Sequence, residues 1–210
     1  MTLFRLIKLG LIITTVILSA CSSTPKTPDS FDSFDWAKQQ RLLQALNQWE
    51  ANGKLGARSD DDAISANFRW HQIEDRFELY LSGAFGRSAT IAGSPFLATL
   101  IQADQPPLHA PSPDELMERI TGWPAPVSSL YYWGRGLPDP SLTQENLQFS
   151  KSGLLVSFNQ AGWEITLKRH KAYLNSKGVS VYLPGKLMAK KDDKKITFLF
   201  RQWQLSSSAS

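Results

Sequence analysis

The chain has 210 residues, a formal net charge of +4 and a single cysteine. One cysteine excludes an intramolecular disulfide, and so small a net charge does not support a nucleic-acid-binding protein. The chain is rich in aromatic residues, with seven Trp, eleven Phe and five Tyr. Large, flat side chains suit either an ordinary packed core or the wall of an apolar cavity, and composition does not choose between them.

The N-terminal residues have the composition of a secretory signal peptide. Arg5 and Lys8 supply positive charge, an apolar segment follows over residues 9–18, and small residues lead to Cys21. The apolar segment is shorter than the roughly 20 residues of a membrane-spanning helix. Because the only cysteine of the chain ends the tetrapeptide Leu18-Ser19-Ala20-Cys21, we predict cleavage before Cys21 and lipid attachment to it. The alternative is an uncleaved N-terminal anchor.

The domain organisation follows from this signal. Pro, Ser and Thr dominate the residues after Cys21, and such a composition is typical of a flexible linker. No composition shift marks a second boundary farther along the chain. The predicted segments are a signal peptide over 1–20, a lipidated tether over 21–30 and a single domain over 31–210.

One helix and a long series of strands are predicted next. Leu42, Leu46 and Trp49 recur at helical spacing, which predicts a helix over Asp35–Trp49 with Ser33 or Asp35 as its N-cap. From Trp49 onward apolar and polar residues alternate, as in strands with one buried face. The predicted strands are Trp49–Ala57, Ile64–Trp70, Phe77–Leu81, Ser88–Gly93, Phe96–Gln102, Leu147–Ser150, Leu154–Asn159, Trp163–Arg169, Val179–Leu183, Lys186–Ala189 and Lys195–Trp203.

A helical insertion interrupts the strands. Residues Ser112–Glu115 form a capping box with Pro113 at the first helical position, and Gly122 is placed to end that helix. A second short helix is predicted over Val127–Trp133. Many short strands with close turns favour an antiparallel meander that curls into a barrel or a sandwich. Helices over the concave face of such a sheet can leave an apolar cavity beneath them.

Chemical motifs are scarce. The three histidines, His71, His109 and His170, are far apart, with no acid or cysteine at metal-ligand spacing. The chain has no Gly-x-Ser-x-Gly nucleophile motif. Glu74 and Asp75 adjoin a predicted turn and are expected to be solvated rather than catalytic. We therefore predict that the protein is not an enzyme and uses no metal and no cofactor.

Several segments, taken in order, resemble the LolB family of bacterial outer-membrane lipoprotein receptors. Each segment alone is a weak signal, whereas the ordered set spans most of the domain. The segments are Trp49-x-Ala51-x-Gly53-Lys54-Leu55, Ala66-Asn67-Phe68-Arg69-Trp70-His71-Gln72, Phe77-Glu78-Leu79-Tyr80-Leu81-Ser82-Gly83-Ala84-Phe85-Gly86, Ile120-Thr121-Gly122-Trp123-Pro124-Ala125-Pro126-Val127 and Leu130-Tyr131-Tyr132-Trp133-Gly134-Arg135-Gly136-Leu137-Pro138.

This resemblance implies an α+β fold, an incomplete antiparallel β-barrel of about 11 strands whose opening is covered by a helical lid around an apolar cavity. It implies a monomer that accepts lipoproteins from a LolA-like periplasmic carrier and inserts them into the inner leaflet of the outer membrane. The expected partners are thus the carrier, the acylated cargo and outer-membrane phospholipid, but no nucleic acid. Ser22, where an Asp would indicate inner-membrane retention, is compatible with an outer-membrane protein facing the periplasm.

Two other functions remain compatible with the residues. One is a structural or assembly lipoprotein of the cell envelope with a packed core and no acyl-binding cavity. The other is an envelope hydrolase whose catalytic residues form no recognisable motif. Transfer of an acylated protein from a carrier distinguishes the first function from both of these.

The resemblance also implies two sets of site residues. Family members carry a loop with a protruding apolar residue before a glycine, and the matching tripeptide is Ala84-Phe85-Gly86, with Phe in place of the usual Leu. We expect Phe85 to insert into the membrane. The alternative is that the turn folds back and Phe85 fills the end of the barrel. Alternation defines one face of each strand but not which face is concave, so packing in the core is the alternative for each lining residue. The predicted cavity residues are Phe68, Trp70, Phe77, Leu79, Leu81, Leu130, Tyr131 and Trp133.

Overall fold

A computed structural model describes residues 35–84, 87–123 and 125–206. Cys21, Phe85 and Gly86 lie outside the described residues. The helices are α1 (Trp36–Gln44), α2 (Pro113–Thr121) and α3 (Val127–Arg135). The strands are β1 (Gln48–Arg58), β2 (Ala63–Ile73), β3 (Arg76–Ala84), β4 (Arg87–Ser94), β5 (Leu97–Gln102), β6 (Leu108–Ala110), β7 (Glu145–Phe149), β8 (Leu155–Gln160), β9 (Trp163–Lys168), β10 (Lys171–Leu174), β11 (Ser180–Leu183), β12 (Lys186–Lys191) and β13 (Lys194–Leu205).

Eleven of these strands form one sheet with the order β6-β5-β4-β3-β2-β1-β13-β12-β9-β8-β7. All the neighbouring pairs are antiparallel. The sheet is open, because β6 and β7 are its two edges and do not pair with each other. The predicted open antiparallel sheet of about 11 strands is therefore confirmed, and the sandwich alternative is not.

The pairing of β13 with β1 joins the last strand to the first. The register shifts between Asn52 and Gly53, and here the β13 backbone comes so close that a Cβ on Gly53 would overlap the carbonyl oxygen of Leu199. Phe68 of β2 lies over this glycine, and its ring contacts that of Phe198 edge-on at 5.2 Å between centroids. Gly53 is thus required by close approach of two backbones.

Aromatic side chains fill the core above these central strands. The Trp49 ring lies between those of Trp70 and Trp203, at 5.2 and 5.1 Å. Phe198 and Phe200 stack on each other at 5.7 Å. Aromatic pairs at such separations stabilise a core by about 0.5–1.5 kcal/mol each beyond the burial of their area. Much of the aromatic content is therefore ordinary core packing.

The first helix is shorter than predicted. Asp35 caps α1, with its side chain accepting from the backbone N–H of Lys38, as expected. The prediction that the helix extends to Trp49 was wrong, because Trp49 lies in β1. The reason is that β1 is hydrogen-bonded on both sides, to β2 and to β13, and this long-range pairing outweighs the local helical spacing.

Two strand predictions also differ from the structure, and two strands were not predicted. Phe96 was predicted to begin a strand but lies in the β4–β5 turn, where 85% of it is exposed. The strands β6 and β10 were not predicted, because β6 is three residues long and β10 is mostly exposed, so neither shows alternation. The strand predicted over Val179–Leu183 exists as β11, but it pairs with β10 in a separate two-stranded ribbon.

The helical insertion has the predicted caps. The Ser112 side chain accepts from the backbone N–H of Glu115, and Gly122 ends α2 in the left-handed conformation with φ 75°. The last helix, α3, runs two residues past Trp133 and ends at Gly136, with φ 88°. The two helices lie over the apolar face of the sheet, and α2 also contacts β5, β6 and α3.

Candidate functional site

An apolar pocket, here called the inner pocket, lies between the sheet and the two covering helices. Its volume is about 70 Å³. Except for the hydroxyl-bearing Thr121, all of its lining residues are hydrophobic. The lining comprises Leu55, Ala57, Ile64, Trp70, Phe77, Leu79, Leu81, Ile91, Met117, Thr121, Trp123, Ala125, Val127, Leu130, Ile196 and Phe198.

Part of the sheet face that borders the inner pocket is less completely buried than the rest of that face. Along β1, Trp49 and Ala51 are fully buried, whereas Leu55 and Ala57 on the same face are only half-buried. Pockets that hold small organic ligands usually measure about 300–1,000 Å³. The inner pocket is much smaller, so the cavity for acyl chains that the sequence implies stays a prediction, and filling it would require the covering helices to move.

A second pocket, here called the outer pocket, adjoins the first and has a volume of about 460 Å³. The two pockets share Trp70, Phe77 and Val127 in their linings. The outer pocket combines aromatic rings with carboxylates, amides and hydroxyls. Its lining comprises Asn47, Trp70, Gln72, Glu74, Asp75, Phe77, Ser94, Pro95, Pro113, Val127, Ser128, Tyr131, Tyr132, Asp139 and Ser141.

A chain of hydrogen bonds shapes the boundary between the pockets. The Trp70 Nε1–H donates to Oε1 of the buried Gln72 at 3.0 Å, and Gln72 Nε2 donates to the Glu74 carbonyl oxygen at 2.8 Å. The backbone N–H of Glu74 donates to the carbonyl oxygen of Asn47 at 2.6 Å. Glu74 adopts a positive φ of 53°. These bonds hold the β2–β3 turn, which contains Glu74 and Asp75, in place beside the outer pocket.

Buried polar contacts fix α3 on the sheet. The Trp133 Nε1–H donates to Gln160 Oε1 at 2.8 Å, and the backbone N–H of Asp139 donates to the same oxygen. Gln160 Nε2 donates back to the Asp139 carbonyl oxygen at 2.9 Å. The Ser129 hydroxyl donates to the Asp139 carboxylate at 2.8 Å. Buried hydrogen bonds of this kind are costly to break, because each partner would be left unsatisfied.

Arg135, at the end of α3, is 1% exposed. Its Nη1 donates to the carbonyl oxygens of Leu43 and Leu46 at 2.9 and 2.6 Å, and its Nε donates to that of Tyr131 at 3.1 Å. The guanidinium also lies over the Tyr131 ring, 3.9 Å from the centroid. Burial lowers the pKa of Arg135. The carbonyls at the C-terminal end of α1 balance the charge, as expected for a cation at a helix C-terminus, so Arg135 ties α1 to α3.

Polar contacts of α2 are fewer and lie at the surface. Arg119 donates to the carbonyl oxygen of His109 at 2.8 Å, and Asp114 accepts from the backbone N–H of Ser128 at 2.7 Å. An ion pair between Arg119 and Glu115 at 3.7 Å is half-exposed, and such pairs stabilise by at most about 1 kcal/mol. Of the two covering helices, α2 therefore has the weaker polar attachment to the rest of the domain.

The structure divides the eight predicted cavity residues into two groups. Trp70, Phe77, Leu79, Leu81 and Leu130 line the inner pocket, and Tyr131 lines the outer pocket. The alternation had therefore selected the face of β2 and β3 that points toward the helices.

Phe68 and Trp133 are packed in the core instead. They are 3% and 0% exposed, and neither is among the residues that line the two pockets. Of the predicted membrane-insertion loop, Ala84 is the last residue of β3, whereas Phe85 and Gly86 lie outside the described residues, as does Cys21.

Other residues of the site were missed from the sequence. Met117 and Trp123 line the inner pocket from the helical insertion, and the amphipathic pattern of α2 could have indicated Met117. No sequence signal indicated the buried roles of Arg135, Gln72 or Gln160, because their partners are distant in the chain.

The described residues contain no group of three or more His, Cys, Asp or Glu placed to hold a metal ion. In the part of the chain that the structure describes, no helix is long and apolar enough to cross a bilayer.

Comparison with known proteins gives consistent matches over nearly the whole chain. A family profile described as "Outer membrane lipoprotein LolB" matches residues 47–203. The "Outer-membrane lipoprotein LolB" of Cellvibrio japonicus is 38% identical over 205 residues, with coverage of 97% of this chain and 98% of that protein. The protein of the same name from Chromohalobacter salexigens is 32% identical over 200 residues, with coverage of 95% and 90%. The crystal structure of a LolA superfamily protein from Nitrosomonas europaea overlaps with a TM-score of 0.48 at 7% identity, covering 81% of this chain and 94% of that one.

Removing the guanidinium of Arg135 should destabilise the domain. Arg135→Met removes the charged donors to the carbonyls of Leu43 and Leu46, so we expect the free energy of unfolding to fall by about 3 kcal/mol in urea titration. Arg69→Met is the matched control, because Arg69 is exposed and lies 3.9 Å from Glu50 in a surface ion pair. The control should change stability by less than about 1 kcal/mol. Equal stability of the two variants would show that Arg135 does not hold α3 to α1.

Proposed function

The chain belongs to the LolB family of outer-membrane lipoproteins, and we propose that it accepts lipoproteins from a LolA-like periplasmic carrier and inserts them into the inner leaflet of the outer membrane. The observation that carries the proposal is the apolar inner pocket, which lies under the covering helices and shares lining residues with a larger pocket of mixed polarity. A structural lipoprotein with a packed core would gain nothing from unfilled apolar space on its concave face, since such space costs stability.

Acyl chains supply the driving force in this proposal. Each methylene that leaves water contributes about 0.8 kcal/mol, so even a partly inserted chain is held by several kcal/mol. The pocket is too small for a chain as it stands, and α2 is the helix that moves aside. No covalent step is required. Cargo moves from carrier to receptor to bilayer because each of them holds the acyl chains more tightly than the one before. A shallow pocket that opens readily lets the cargo leave again.

The anchor is part of the same proposal. Lipid on Cys21 tethers a monomeric domain to the outer membrane, where it faces the periplasm and meets both the carrier and phospholipid.

Cys21→Ser should abolish metabolic labelling with palmitate, because the modified thiol is gone. Ser22→Asp is the control: it should keep the label but move the protein to the inner-membrane fraction of a density gradient. Labelling that survives in Cys21→Ser would contradict the assignment.

A polar side chain in the inner pocket should block cargo uptake. Met117 of α2 lines the pocket and is half-buried, so Met117→Gln places an amide among apolar residues without changing the volume greatly. An unpaired amide in such a setting costs about 1–3 kcal/mol, and we expect transfer of a lipoprotein from the carrier to fall roughly tenfold. A pull-down of the full-length protein with carrier-bound cargo measures this transfer.

Met188→Gln is the matched control. Met188 lies on the outer face of β12, between the buried Leu187 and Ala189, so its substitution should leave transfer unchanged. Unchanged transfer in Met117→Gln, with its melting temperature also unchanged, would show that acyl chains do not enter the inner pocket.

We also propose that Phe85 inserts into the membrane during delivery. Burying one large apolar side chain contributes about 1.5–3 kcal/mol, which is too little to anchor the protein but enough to orient it and lower a transfer barrier. Phe85→Glu should therefore leave uptake from the carrier unchanged and reduce release of cargo into liposomes at least tenfold. Phe85→Leu should retain release.

Phe96→Glu is the control for placing a carboxylate where a surface Phe stood, since Phe96, in the β4–β5 turn, is 85% exposed. Equal loss of release in Phe85→Glu and Phe96→Glu would assign no special role to Phe85. A large drop in melting temperature in Phe85→Glu would instead make Phe85 a core residue.

A further inference from the structure

We propose that the outer pocket holds the polar head of the cargo's lipidated cysteine and that its carboxylates select against lipids with a net negative headgroup. This inference rests on the proposed function, because it supposes acyl chains in the inner pocket. Any acyl-binding site at a membrane must distinguish its cargo from the surrounding lipids. Phospholipids carry similar chains and are far more abundant than lipoproteins, so apolar contacts alone cannot distinguish the two.

The connection between the pockets sets the orientation of an amphiphile. Both pockets are lined by Trp70, Phe77 and Val127. An acyl chain that fills the inner pocket therefore passes between these three side chains into the outer pocket. The inner pocket offers no charged group. The polar end of the ligand therefore lies in the outer pocket, where the polar side chains can hydrogen-bond to it.

The charge around that polar end has one sign. Three of the fifteen lining residues are acids, Glu74, Asp75 and Asp139, and none of the fifteen is Lys, Arg or His. The buried cation nearby is Arg135, which lies behind the Tyr131 ring and donates to backbone carbonyls of α1. It is therefore not available to pair with a phosphate.

Hydrogen bonds fix the Asp139 side chain and the turn that carries the other two acidic residues. Asp139 accepts hydrogen bonds from the hydroxyls of Ser129 and Ser141, at 2.8 and 2.7 Å. The turn that carries Glu74 and Asp75 is tied to Asn47 and Gln72, as described above. Tyr132, on the same wall, has a pKa raised by burial and then by the charge of Asp139.

The chemistry of the two kinds of lipid then decides which one fits. A glyceryl thioether linked to a peptide presents ester carbonyls and amides without charge, and these can bond to the hydroxyls and amides of the pocket. An anionic phosphate in the same place would meet three carboxylates and no cation. Glu74 and Asp75 are exposed, so solvent screens them and their repulsion is moderate, growing as the salt concentration falls.

Photo-crosslinking with a matched pair of lipids tests the inference. The purified full-length protein in nonionic detergent is exposed to a photoactivatable diacylglycerol or to phosphatidylglycerol with the same photoactivatable chains. We expect the wild-type protein to crosslink the neutral lipid preferentially. In Glu74→Gln/Asp75→Asn the ratio should shift toward phosphatidylglycerol by roughly threefold to tenfold, and the shift should shrink at about 0.5 M salt. Asp139 is left unchanged because its carboxylate holds α3.

The control variant Asp61→Asn/Glu78→Gln removes the same charge from exposed positions outside the pocket and should leave the ratio as in the wild type. A shift of equal size in the control would overturn the inference, since general surface charge would then explain it. A ratio that is unchanged in Glu74→Gln/Asp75→Asn would overturn it too, while leaving the proposed function intact. If the wild-type protein crosslinks neither lipid, the proposed function itself fails.

Discussion

The buried guanidinium of Arg135 is the interaction on which the arrangement of this site depends. A single side chain at the end of α3 satisfies two carbonyls at the end of α1 and one of its own helix. It thereby fixes the end of α3 against the end of α1. Both pockets take one wall from α3, through Val127. The position of α3, which Arg135 helps to fix, therefore contributes to the shape of both pockets.

The two covering helices differ in how firmly polar contacts attach them. Buried hydrogen bonds through Gln160 and Asp139 fix α3, whereas the polar contacts of α2 lie at the surface. A receptor that must take in a chain and then give it up requires such an asymmetry. A lid fixed as firmly as α3 would keep the inner pocket closed, and a lid with no fixed partner would leave apolar surface exposed to water.

The sheet has 11 strands, and α2 and α3 cover only part of its apolar face. Aromatic side chains fill the concave face where β1, β2 and β13 meet, around Trp49 and Phe68. Farther along β1 and β2 the same face is lined by Leu55 and Ile64, which are half-buried under α2 and the residues that follow it. The core that stabilises the fold and the pocket proposed to bind acyl chains are thus two parts of one continuous apolar surface.

The sequence by itself determined the local structure and the family. Alternation located most strands of the sheet, the Ser112 and Gly122 caps placed α2, and the ordered motifs indicated the family. Only the tertiary structure decided which apolar residues line space and which are packed. Phe68 and Trp70 share one face of β2, yet Phe68 lies over Gly53 in the core and Trp70 borders both pockets. A period of two defines a face, but what lies opposite that face depends on residues far away in the chain, and these are brought there only by pairing of β13 with β1 and by burial of Arg135.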